Sequence, residues 1–267
     1  MTLNILFIGD IVGKPGMDMV QTWLPPLKKK YKADITIVNG ENSAEGKGCT
    51  EKEGKVLFDL GVDVITGGNH TWDKRQSQDY LKVESRSLRP LNYPKGTYGH
   101  GYFIFNSEKG KVAVVNLQGR SFLPAIDCPF RTAEWITSKL LEETKMIFVD
   151  FHAEATAEKL ALGNFLDGKV SVLVGTHTHI QTSDERIFPK GTAYITDVGM
   201  TGPYDSIIGM KTDAAINRFL YATPQKYQTA TDQVHLCGIF AQVDTETGNA
   251  LSIERLLIPE FEKVKSY

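Results

Sequence analysis

The chain has 267 residues, 41% hydrophobic and 23% charged, with 32 acidic against 30 basic side chains and a net charge of −2. Ordinary Gly and Pro content (24 and 11) excludes collagen-like and low-complexity chains, the charge balance argues against a long polyanion-binding surface, and apolar runs fall short of the roughly 20 residues of a membrane helix. Three widely spaced cysteines, Cys49, Cys128 and Cys237, make neither a disulfide framework nor a metal knuckle, and the start lacks an export signal, so a soluble protein of the cytoplasm is expected.

In chain order, Leu3 to Ile8 reads as a buried strand ending in Gly9-Asp10. Pro15 to Tyr31 reads as a helix with Met19, Val20, Trp23, Leu24 and Leu27 on one face, which Pro25-Pro26 should break or kink. Ile35 to Val38 is a second strand, running into Asn39-Gly40-Glu41-Asn42, and Glu51 to Leu60 a helix stopped by Gly61. Val62 to Ile65 is a third strand, ending in Gly67-Gly68-Asn69-His70. This βαβαβ order implies parallel strands with right-handed crossovers. Tyr102 to Phe105 and Val112 to Leu117 flank a loop of hairpin composition. Thr132 to Glu143 is read as a helix, Met146 to Phe151 as a strand, Ala155 to Leu166 as a helix and Val170 to Val174 as a strand. The last third reads as mostly β, with strands at Thr192 to Thr196 and Leu236 to Val243, the latter paired with Leu251 to Leu257. No linker or repeat divides the chain, so residues 1–267 are expected to form one α/β domain, a layered sandwich of mixed sheet flanked by helices.

Polar residues cluster where the strands stop. Asp10, Glu41, Asn69, His152 and the pair His177/His179 each follow a short apolar run, and ligands bind outside the carboxyl ends of strands in open α/β sheets. If the chain stays extended, His177 and His179 share a face roughly 6.6 Å apart, suited to gripping two ions about 3.5–4 Å apart. A donor set of carboxylate, amide and imidazole without thiolate suits iron, manganese or zinc. Two divalent ions held by Asp10, Glu41 and a bridging hydroxide keep a charge of about +1, which attracts a singly charged phosphodiester. His100 and His235 read as structural, Lys28 to Lys30 as a solvated helix end, and Cys49 as a filler thiol.

Six strings then carry a resemblance: Gly9-Asp-Ile-Val-Gly-Lys-Pro-Gly16, Asn39-Gly-Glu-Asn-Ser43, Gly68-Asn-His-Thr-Trp-Asp73, Phe151-His-Ala-Glu-Ala-Thr156, Gly175-Thr-His-Thr-His179 and Thr196-Asp-Val-Gly-Met-Thr-Gly-Pro203. Together they resemble the YmdB-like branch of the calcineurin-like metallophosphoesterases, over nearly the whole chain. Two positions depart from the wider superfamily: Asp10-Ile-Val12 lacks the His of the usual Asp-x-His, and Glu41 stands where an Asp usually bridges. The resemblance implies the layered metallophosphoesterase sandwich and hydrolysis of 2′,3′-cyclic nucleotides to 3′-nucleotides. It places one ion on Asp10, Glu41, Asn42 and His179 and a second on Glu41, Asn69, His152 and His177, with iron as the associated metal. A bridging hydroxide would attack phosphorus while a proton reaches the departing ribose oxygen. His70, beside Asn69, is the candidate donor, and Arg120 is a candidate phosphate clamp. Tyr204 is left open between stacking on a base and filling a loop. The expected partner is a small cyclic nucleotide or another phosphodiester, with no long nucleic acid and no membrane, and a homo-oligomer is compatible with the sequence. The competing readings are a phosphomonoesterase or nucleotidase, and a regulatory nucleotide-binding protein with little turnover.

Overall fold

The computed structural model describes residues 1–226 and 228–261. Its elements in order are β1 (Thr2–Ile8), α1 (Gly13–Tyr31), β2 (Ile35–Asn39), α2 (Glu51–Asp59), β3 (Val64–Thr66), α3 (Arg75–Leu81), β4 (Tyr102–Ser107), β5 (Gly110–Gln118) and α4 (Pro129–Leu140). There follow β6 (Ile147–His152), α5 (Thr156–Leu166), β7 (Val172–Thr176), β8 (Arg186–Ile187), β9 (Ala193–Ile195), β10 (Gly202–Pro203), α6 (Thr212–Tyr221), β11 (Val234–Asp244) and β12 (Ala250–Ile258).

Two six-stranded sheets result. The first runs β10-β11-β1-β2-β3 with β12 also on β11, and the second runs β4-β5-β6-β7-β9-β8. β1, β2 and β3 are parallel, as their crossover helices require, and β11 returns antiparallel to β1. In the second sheet β5, β6, β7 and β9 are parallel, and β4 pairs with β5 as the expected hairpin.

Strand alternation sorts the apolar side chains into three layers. Leu3, Ile5 and Phe7 of β1, Ile35 and Ile37 of β2, Val112 and Val114 of β5, Phe148 of β6, and Val172 and Val174 of β7 fill the space between the sheets. The alternate residues Leu6, Ile8 and Val38 meet Met17, Val20, Leu24 and Leu27 of α1 and Leu57 of α2 on the outer side of the first sheet. On the far side of the second sheet, Val115, Leu117, Val149, Phe151 and Leu173 meet α4 and α5. Each such side chain contributes about 1.5–3 kcal/mol by leaving water.

The inward row changes character toward the strand ends. Ile37 is followed two residues on by Asn39, Val64 by Thr66, Val114 by Asn116 and then Gln118, Phe148 by Asp150 and then His152, and Val174 by Thr176. The layer between the sheets is thus oily at one end and polar at the other, and the polar end carries the site.

Several expectations need correction. α1 passes through Pro25 and Pro26 unbroken. The carbonyls they leave without an amide donor belong to Gln21 and Thr22, both exposed, where water can serve them. Trp23 points outward and is exposed, so the buried stripe is Met17, Val20, Leu24 and Leu27. Lys28 is not a solvated end, because its ammonium bonds the carbonyl of Gly61 and ties α1 to the end of α2. The last third is mostly β as expected, in β8 to β12, but it also holds the unexpected α6, whose exposed Phe219 and Leu220 blur the helical period. α3, β8 and β10 are additions too short or too polar to leave a pattern.

Candidate metal centre

Every residue singled out at a strand end arrives at the same edge. Asp10 lies two residues past β1 and Glu41 and Asn42 just past β2; Asn69 and His70 follow β3, His152 closes β6, and His177 and His179 follow β7. Asp10, Glu41, Asn42, His152 and His179 are all buried.

The tightest part centres on His152 Nε2. It lies 3.0 Å from Glu41 Oε1, 2.9 Å from Asn69 Oδ1 and 3.0 Å from His177 Nδ1. Adjacent ligands on an octahedral ion with bonds of about 2.1 Å stand about 3 Å apart, so these four atoms have the spacing of one coordination shell. Gly68 makes the approach possible: a Cβ there would lie 2.3 Å from Glu41 Oε2 and 2.4 Å from the His152 ring.

Hydrogen bonds fix which ring nitrogens can accept a cation. The Thr176 hydroxyl has one proton and donates it to Asp150 Oδ1 at 2.7 Å, so it must accept from His152 Nδ1 at 3.0 Å. His177 Nε2 is held by Glu154 Oε2 at 3.0 Å, and His179 Nδ1 donates to the Ile208 carbonyl at 2.9 Å. Each ring thus keeps one nitrogen uncommitted, His152 Nε2, His177 Nδ1 and His179 Nε2, and the first two face each other. Two lone pairs at 3.0 Å repel unless a positive charge lies between them.

The oxygen side fits the same occupant. Asp10 Oδ1 and Asn42 Oδ1 are buried acceptors without a donor among the described residues, a costly state that a cation would relieve. Asp10 Oδ2 accepts the His177 main-chain N–H at 3.2 Å, and the Asn42 amide nitrogen bonds the Gly46 carbonyl at 3.1 Å, which turns its oxygen away. Among the His, Cys, Asp and Glu side chains of the described residues, Glu41, His152 and His177 form the cluster with ligand atoms mutually within 4.8 Å; Asp10 and His179 stand outside it.

With no cation, a proton serves in its place. Burial opposes charge on His152, but the Glu41 carboxylate beside it, with Asp10 and Asp150, holds its pKa up at about 9. Burial likewise pushes Glu41 up, yet His152 and the donors of His70 bring it down to about 2. Burial and the neighbouring His152 push His177 down to about 3, and burial lowers His179, so both rings stay neutral donors of electron pairs. Burial raises Asp10 well above the usual carboxylate range.

The extended geometry expected for His177 and His179 does not occur. Their φ angles are 101° and 67°, so the chain turns at both and each imidazole is aimed separately. His70 stays outside the shell: its N–H donates to Glu41 Oε2 at 3.0 Å, while its half-buried ring places Nδ1 3.0 Å from Asp73 Oδ2. Trp72, beside it, packs edge-on against Tyr93. Arg120 is exposed, and its main-chain N–H is held by the Glu158 carboxylate. Tyr204 is a packing residue, seated against His235 and Phe261 with its hydroxyl 3.0 Å from Cys237 Sγ. His235, bonded to the Pro259 carbonyl, is structural, and burial pushes the Cys49 thiol up to about 12, as suits a filler. Sequence reasoning missed the supports Asp73, Asp150, Glu154, Lys159, Thr176 and Asp197. The visible signals were a carboxylate inside the apolar run Ile147 to Phe151 and an Asp three residues after His70.

A profile of YmdB-like proteins matches residues 6–256. The chain is 52% identical, over 96% of its length and 97% of the relative's, to a 2′,3′-cyclic-nucleotide 2′-phosphodiesterase of Bacillus subtilis (strain 168). Two solved structures share the fold at high similarity. A phosphatase from Mycoplasma pneumoniae has a TM-score of 0.92 and 36% identity, covering 97% of this chain and 94% of that one. A hypothetical protein from Thermus thermophilus has a TM-score of 0.90 and 38% identity, covering 96% and 98%.

Proposed function

The chain belongs to the YmdB-like family, and from that premise we propose that it is a metal-dependent phosphodiesterase opening 2′,3′-cyclic nucleotides to 3′-nucleotides. The observation that carries the reading is the pair of facing imidazole nitrogens, 3.0 Å apart, with Glu41 and Asn69 oxygens at the same spacing. Asp10, Glu41, Asn42 and His179 would hold one ion, and Glu41, Asn69, His152 and His177 the other, with Glu41 shared. Bound there, the ions supply Lewis acidity toward the phosphoryl oxygens and toward an attacking water. Iron is the metal of this reading; manganese and zinc suit the same nitrogen and oxygen donors. One catalytic domain working in the cytoplasm completes it, consistent with three free cysteines.

The proton step falls to His70. Its main-chain bond to Glu41 holds it at the rim of the cage, and Asp73 on Nδ1 orients the ring so that Nε2 can serve substrate. Water adds to phosphorus and releases one proton to solvent, the bond from phosphorus to the 2′-oxygen breaks, and that oxygen takes the proton from Nε2, which solvent then replaces. A positioned acid of this kind contributes roughly 10²–10⁴-fold.

Monoester hydrolysis is the competing reading, because the relative from Mycoplasma pneumoniae is called a phosphatase. A single metal-loaded preparation offered 2′,3′-cyclic AMP, 3′,5′-cyclic AMP and an aryl phosphate separates the two. The proposal expects fastest turnover of the 2′,3′-cyclic ester, with 3′-AMP as product. Preference for the aryl phosphate would favour the phosphatase, and tight binding without product would favour a regulatory binder.

A further inference from the structure

α5 carries a lysine where an amphipathic helix would carry an apolar residue. Lys159 shares the buried side of the helix with Leu162 and Leu166 and is itself fully buried. Room for it comes from Gly175 on β7, where a Cβ would lie 2.9 Å from the lysine Cδ. Its ammonium meets Asp197 Oδ2 at 2.7 Å, and Asp197 is fully buried too. A buried ion pair of this kind is a poor source of stability, since desolvation offsets the attraction. Its value must be sought in what the carboxylate holds.

Asp197 holds the turn between the two histidines. Oδ2 also accepts from the Thr178 main-chain N–H at 3.1 Å and its hydroxyl at 2.8 Å, while Oδ1 accepts from the Gly199 N–H at 2.9 Å. Thr178 lies between His177 and His179, both at positive φ. A side chain in that region costs about 1–3 kcal/mol per residue and persists where the surroundings over-determine it. Main-chain bonds from His177 to Asp10 and from Met200 to the His179 carbonyl secure the two ends, and Asp197 secures the middle. Without Lys159, that carboxylate would be buried near Asp10 with its main counter-charge gone.

We propose that Lys159, acting through Asp197, is a positioning residue that sets the His177-Thr178-His179 turn in its cation-holding shape. The inference rests on the reading of His177 and His179 as metal ligands. It is tested on full-length protein with Lys159→Met, which keeps the stem and removes the charge, and with the double variant Lys159→Met/Asp197→Asn, which removes both charges and should fold even if the single variant does not. Each is loaded with Co²⁺, and the affinity and visible d–d spectrum are read beside the melting temperature.

Whichever variant folds should bind Co²⁺ at least tenfold more weakly, with an altered spectrum, and should lose kcat while KM for 2′,3′-cyclic AMP stays within about twofold. A folded variant with wild-type Co²⁺ affinity and spectrum, whatever its melting temperature, would overturn the proposal. Failure of the wild-type protein to bind Co²⁺ would instead sink the metal reading, and is told apart by needing no variant.

Discussion

The two sheets meet at the site with different chemistry. The first supplies oxygen donors from the ends of β1, β2 and β3, and two of these, Asp10 Oδ1 and Asn42 Oδ1, have no hydrogen-bond partner among the described residues. The second supplies imidazoles from the ends of β6 and β7, and every ring has its other nitrogen committed, to Thr176, Glu154 or the Ile208 carbonyl. The difference follows from the groups. A carboxylate or amide oxygen offers a lone pair in any tautomer, whereas a neutral imidazole offers one only after its proton has been placed. The oxygen side is therefore left free and the nitrogen side is buttressed.

That contrast can be broken most severely on the oxygen side. Glu41 is the carboxylate read as shared between both ions, and Glu41→Gln is expected to abolish stoichiometric metal loading and cut turnover by about a thousandfold or more, checked by elemental analysis and a rate assay on the same sample. His70→Ala comes next. It should slow turnover by roughly 10²–10⁴-fold with both ions retained, and loss of metal would make His70 a ligand instead. On the nitrogen side, Thr176→Val removes the group that places the His152 proton, and metal affinity is expected to fall about 10–100-fold in a chelator competition.

The smallest effect is a pH dependence of the metal-free protein. His152 moves from an ordinary 6.5 up to about 9 on folding, so its stabilising contribution is full below 6.5 and lost as pH rises through 9. Glu41 moves from 4.5 down to about 2, so its contribution is present above 4.5 and lost as pH falls through 2. Melting temperatures of chelated protein should be highest between these limits and decline toward pH 9. Reloading with metal should flatten the alkaline limb, because a cation replaces the proton on His152. An alkaline decline that metal leaves unchanged would show the two do not compete for one place.

The sequence made the strand ends legible because alternation and burial act locally. The run Leu3 to Ile8 announces both a strand and the point where Asp10 emerges. The core layer between the two sheets follows from the same period, in β5 as in β1. What stayed hidden depends on partners far along the chain. Pro25-Pro26 announce a break, yet the helix survives there because the carbonyls they leave without donors, on Gln21 and Thr22, are exposed. Likewise the turns at His177 and His179 are imposed by Asp197 and Asp10, and Lys159 reads as an ordinary polar residue of a helix until Asp197 is found beneath it. Single groups are written in their neighbourhood, whereas their supports are written elsewhere.

Metal content measured on the purified protein, together with turnover of 2′,3′-cyclic AMP before and after chelation, addresses the cage most directly. The account predicts about two divalent ions per chain, with turnover that disappears on their removal and returns on re-addition of Fe²⁺ or Mn²⁺. Undiminished turnover in protein stripped of metal would contradict it.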